Sequence, residues 1–185
     1  MTEPYLGNDF SPKKFANDPE YRWDYFKEFL DFNEDDWRRV QSTEDIIRPE
    51  IPTIVRNLYD VLLGFEPTAE LYRDEDGSVD PSLIEDRVEG FELWFERIFE
   101  TRTREEYLTY LAKVGAIHTD QLGFEEMVVD EAHLGPTFSW LMNQVNQTLT
   151  GDIRDPDRLA GCLSAWQRFF SLQLAVFRMA YESTE

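Results

Sequence analysis

The chain has 185 residues, 42% of them apolar and 15% aromatic, which is enough for one domain with a bulky core. Its 38 acidic residues against 18 basic ones give a formal charge of −20, a field that repels phosphate backbones and anionic lipid and so excludes nucleic acid and membrane surfaces as partners. The single Cys162 cannot form an internal disulfide, no basic start precedes an apolar leader, and no apolar run reaches the roughly 20 residues that span a bilayer, so a cytoplasmic protein is expected.

Residues 1–17 carry Gly, Pro and Asn without periodicity and read as an extended N-terminal arm, leaving 18–185 as the single domain. Asp18 and Pro19 supply a cap and a first-turn proline for a helix that sets Trp23, Phe26 and Leu30 on one stripe. Asn33 can cap a short helix over "EDDWRRVQ". From about Pro49 to Leu63, Ile51, Val55, Leu58 and Leu62 recur at helical spacing, and Gly64 and Pro67 end the run. A polar turn, "RDEDGSVD", leads to Asp80 and Pro81, which open a helix with Ile84, Val88, Phe91, Phe95 and Ile98 on one face. "REEYLTYLAKVGAIH" repeats the pattern with Tyr107, Leu111, Val114 and His118. A loop broken by Gly123, Gly135 and Pro136 precedes the stripe Phe138, Leu141, Val145 and Leu149, closed by Gly151. Asp155 and Pro156 then start the last and longest helix, where Leu159, Leu163, Trp166, Phe170 and Phe177 point inward. Seven or eight unequal helices, with no strand alternation, predict an all-α, globin-like domain.

The acids are dispersed along the chain, and lysine occurs only at positions 13, 14, 27 and 113. That balance suits a surface in concentrated salt, where self-repulsion is screened, and a halophilic source is expected.

His118 closes an apolar stripe in a chain with only two histidines. Three uses are open to it: a hydrogen-bonded core residue, a catalytic base, or a metal ligand. Catalysis needs an orienting partner, and Thr119 and Asp120 lie on other faces or past the helix end. Two histidines and one cysteine cannot make a conventional zinc set. Haem needs only one imidazole, because the porphyrin brings four nitrogens of its own. His133, flanked by "DEAHLG" without an apolar stripe, reads as a surface or capping residue.

The segment "EYLTYLAKVGAIHTD", preceded by "RVEGFELWFERIF" and by "IVRNLYDVLLGFEPTAELY", resembles the protoglobins and the globin domains of globin-coupled sensors. The order Tyr59, Phe91, His118 and the terminal helix "SAWQRFFSLQLAVF" carry the likeness, with an extra aromatic helix ahead of the globin core. The resemblance implies haem b, with His118 as the iron ligand and Tyr59 as a distal donor to a bound gas. It implies Phe91 and Leu58 as walls of the gas cavity, with Val88, Leu111 and Val114 as haem contacts on the same stripes. Phe138 and Met142 are candidates from the penultimate helix. Arg87 stands one turn before Phe91. It could meet a haem propionate or the ligand if turned inward, although a solvated charge is the simpler reading. A core tyrosine with its hydroxyl at the surface is the plainer alternative for Tyr59.

The function so implied is reversible binding of diatomic gases (O2, CO, NO) as a sensor, store or scavenger. A homodimer through the last two helices is implied with it. Side activity on NO or peroxide is conceivable for an open haem, and no catalytic group can be assembled otherwise. The alternative from another class is a haem-free globin-fold interaction or stress-signalling module, with the hollow filled by side chains and His118 bonded internally.

Overall fold

The computed structural model describes residues 10–73, 76–100, 104–119 and 128–182. It differs from the expectation first at the N-terminus, where Pro12–Asn17 forms a short helix, α1, instead of continuing an extended arm. Its six residues are too few to show a period, but Ser11 caps the backbone N–H of Lys14 and Pro12 presets the first turn. Residues 1–9 of that arm lie outside the described residues.

Four of the later helices start at a side-chain cap that the sequence places. Asp18 accepts from Glu20 and Tyr21 to open α2 (Pro19–Phe29), and Asn33 forms a capping box with Asp36 at α3 (Glu34–Gln41). A short helix, α4 (Glu44–Ile47), leads through a 3-10 turn into α5 (Ile51–Gly64). The helical turn α6 (Glu66–Ala69) and a second 3-10 turn, Glu70–Tyr72, follow. Gly77, at φ +82, lets the polar loop reverse, and an antiparallel bridge joins Arg73 to Val79. Asp80 accepts from Ser82 and Leu83 at the start of α7 (Pro81–Glu100). After α8 (Arg104–Ile117), a 3-10 turn at Glu131–His133 opens α9 (Leu134–Asp152). Gly135 and Pro136, expected to break the preceding loop, occupy the first turn of α9, where the missing proline N–H is not needed. Gly123, named with them, lies outside the described residues. Asp155 caps α10 (Pro156–Phe177), and α11 (Met179–Glu182) ends the described chain.

The predicted stripes form the core. Trp166, Phe169 and Phe170 of α10 are essentially inaccessible, and α10 packs on α3, α9, α8 and α2. Arg22 of α2 is also buried, at 1% exposure. Its Nε donates to Phe15 O at 2.9 Å and its Nη1 to Ala175 O at 3.3 Å, while Nη2 meets the carboxylate of Glu182. The guanidinium lies 4.3 Å from the Phe15 ring centroid. One buried cation thus ties α1, α2, α10 and α11 together, with its charge compensated as burial requires.

Gly115 sets the approach of α8 to α10. A Cβ at this position would lie 2.8 Å from Phe177 O, so any larger residue would push the helices apart. This contact brings the end of α8 against Phe177.

Candidate functional site

On the side of α8 away from the packed core, the helices leave a cavity of about 350 Å³, within the roughly 300–1,000 Å³ usual for ligand sites. Its walls come from α5, the turn at Glu70–Tyr72, α7, α8, α9 and the end of α10. Asp86, Gly90, Leu93 and Lys113 line it and are themselves exposed, so the cavity opens to solvent between α7 and α8.

His118 stands one residue beyond α8 and lines the cavity. Its Nδ1 lies 2.8 Å from Val114 O, one turn back. A carbonyl only accepts, so Nδ1 carries the proton and Nε2 is left with a free lone pair. Burial pushes the imidazole below its ordinary value; the bond to Val114 opposes this and the charge of Arg87 adds to it. The ring is therefore neutral at pH 7 and able to ligate. Phe177 holds it at 5.0 Å between centroids, and the backbone carbonyl of His118 accepts from Val129 N–H at 3.0 Å.

A chain of rings connects this end of the cavity to the other. Phe177 to Phe138, Phe138 to Trp94, Trp94 to Phe91 and Phe91 to Tyr59 are separated by 5.9, 6.0, 5.1 and 6.5 Å between centroids. Tyr72 extends the series, 5.8 Å from Tyr59. Burial drives the Tyr59 hydroxyl far above its usual range and raises Tyr72 as well. An interaction between the two hydroxyls adds to the rise at Tyr59 and opposes it at Tyr72. The charge of Arg87 acts on both tyrosines and on His118, which places the guanidinium within electrostatic reach of both ends.

Of the residues named from sequence, His118, Tyr59, Arg87, Phe91, Val114 and Phe138 line the cavity. Four do not. Leu58 is buried on the core side of Tyr59, one position round the helix, and Val88 is turned away from the stripe of Arg87, Phe91 and Trp94. Leu111 belongs to the row of Tyr107 that meets the packed core. Met142 is partly buried against the core behind Leu141, which forms the wall. Arg87 corrects the simpler expectation of a solvated charge. It faces inward because α7 runs along the opening, and its Nε is buried without a hydrogen-bond partner.

The cavity also collects residues the sequence did not single out. Trp94 and Tyr72 line it, and so does His133, expected at the surface. The Nε1 of Trp94 and the Nδ1 of His133 are buried and unpartnered, like Arg87 Nε. An unmet buried N–H costs about 1–3 kcal/mol, so the donors of Arg87 and Trp94 on the walls of one hollow favour a ligand with acceptors. Among the described residues, no three His, Cys, Asp or Glu side chains come together to hold a metal ion. The residues present fit a porphyrin: one ligating imidazole, an aromatic slot, and a cation at the open side.

Comparison with known proteins agrees with this geometry. A family model, Protoglobin, matches residues 19–185. Among solved structures, the globin domain of the Geobacter sulfurreducens globin-coupled sensor is similar in fold, with a TM-score of 0.67 over 85% of this chain and 96% of that one. The two share 16% sequence identity. No curated protein matches the chain. No helix among the described residues is long and apolar enough to cross a membrane.

Proposed function

The chain belongs to the protoglobin family, and on that premise we propose that it holds haem b in the cavity, with the iron on His118, and binds diatomic gases (O2, CO, NO) there as a sensor, store or scavenger. The observation that carries the proposal is the commitment of His118 Nδ1 to Val114 O, which leaves Nε2 as the ligating nitrogen of a neutral imidazole lining an aromatic cavity. Type b is favoured because the lone Cys162 is buried and offers no pair of thiols for covalent attachment.

Bound in this way, haem supplies an iron with one coordination position open to a small gas. The chain's own residues do the rest. Val114 O fixes the imidazole tautomer, and Phe177 fixes its plane. Phe91, Trp94 and Phe138 keep water from the interior. Tyr59, with Tyr72 packed beside it, offers a hydroxyl proton to a ligand that gains negative charge.

Reduced protein exposed to CO gives a Soret band that moves, and His118→Ala loses the band. Protein that takes up no added hemin would overturn the proposal. The haem-free interaction module requires a hollow filled by side chains, and the open cavity with its unmet donors speaks against it.

The working unit is a homodimer through α9 and α10, in the cytoplasm. From Leu134 to Gly151 the sequence has no charged residue, and from Leu159 to Phe177 only Arg168. On a chain carrying −20, this is a face where two copies meet without repulsion.

A further inference from the structure

Resting on the haem reading, we infer that Arg87 is the anchor for a carboxylate of the bound tetrapyrrole, with Lys113 as a second cation at the same opening. A solvated arginine on an acidic helix would keep its guanidinium in water. Arg87 instead lines the cavity, and its Nε is withdrawn from solvent with no acceptor. A buried guanidinium N–H that meets no oxygen is costly, and a carboxylate satisfies it better than any neutral group. The placement suits that partner. Arg87 lies on α7 between exposed Asp86 and exposed Gly90, and Lys113 is exposed on α8, so both cations border the side on which the cavity meets water. An acidic edge can remain hydrated there while the apolar body of the ligand enters the aromatic slot. Charge sharpens the point. In a chain of −20 with four lysines, Arg87 and Lys113 line this opening against one acid, Asp86, among the described lining residues.

The anchor separates two ligands of the same shape. Apo-protein is titrated with hemin and with hemin dimethyl ester, which lacks the carboxylates, and uptake is read from the Soret band and from quenching of tryptophan fluorescence. Wild type binds the acid roughly ten- to a hundredfold more tightly than the ester, the range for a hydrogen bond to a charged group. Arg87→Met loses most of this preference while keeping its affinity for the ester, and Lys113→Met loses a smaller part. Arg87→Lys, which keeps the charge but not the planar fork, retains part of the preference and guards against a folding artefact. Equal binding of acid and ester by wild type, or a preference unchanged in Arg87→Met, would overturn the anchor while leaving the haem reading intact. Failure of both porphyrins to bind would overturn the haem reading, and the anchor with it.

Discussion

Trp166 and Trp94 are both buried, at 0% and 4% exposure, yet the two halves of the core treat them differently. Trp166 Nε1 donates to Thr43 Oγ1 at 3.0 Å, and Trp94 Nε1 has no partner. The same contrast runs through their surroundings. In the half built on α2, α3 and α10, Tyr107 donates to Gln173 at 2.6 Å, Arg22 has its carbonyls and carboxylate, and Asp36 pairs with Arg168 at 3.0 Å. Gln173 Nε2 is the exception there. In the half around the cavity, Arg87, Trp94 and His133 each keep an unmet nitrogen. One half is nearly finished by its own atoms, and the other leaves donors that the proposed ligand would meet. Stability should therefore reside mainly in the first half and binding in the second.

The largest test of that division is Phe169→Ala. Phe169 is fully buried and touches the rings of Trp23, Phe32, Trp37, Tyr107 and Trp166. Truncation should cost about 3–5 kcal/mol in chemical denaturation of the apo-protein. A loss below about 1 kcal/mol would mean that the packed half is not the stabilising one.

A matched pair of substitutions sharpens the comparison. Trp166→Phe leaves Thr43 Oγ1 without its donor and should cost about 1–3 kcal/mol. Trp94→Phe removes a donor that has no protein partner, and should change apo-protein stability by less than about 1 kcal/mol. Equal losses at the two sites would erase the distinction.

The smallest expected effect lies within the cavity. Tyr59→Phe removes a donor and should speed O2 release severalfold in stopped-flow dissociation. Tyr72→Phe should change release less, because Tyr72 lies beyond Tyr59 in the series of rings that runs from His118. Faster release in Tyr72→Phe alone would make Tyr72 the donor.

Much of this molecule was legible in the sequence because its helices announce themselves. Asp18, Asn33, Asp80 and Asp155 sit at caps with proline or acids after them, and each opens the helix expected of it. Periodicity also put His118, Phe91 and Phe138 on buried stripes, and Tyr59 entered through the resemblance to the protoglobins. Neither periodicity nor the resemblance could tell which part of a buried arc meets packed side chains and which meets a hollow, and so Leu58, Val88, Leu111 and Met142 were included with them. Other residues escaped because the signal was absent. Tyr72 and His133 lie in 3-10 turns of three residues, too short for any period. Arg87, named from the resemblance, is a single charge among acids on an amphipathic helix, and its orientation follows only from the placement of α7 beside the opening.

If His118 provides the bond that holds haem in this cavity, free imidazole should stand in for the side chain once it is removed. Apo-protein of wild type and of His118→Gly is titrated with hemin, with and without added imidazole, and followed at the Soret band. The account predicts one hemin per chain for wild type, weak and spectrally altered uptake for His118→Gly, and a return towards the wild-type spectrum when imidazole is supplied. Unaltered hemin binding by His118→Gly without imidazole would contradict it.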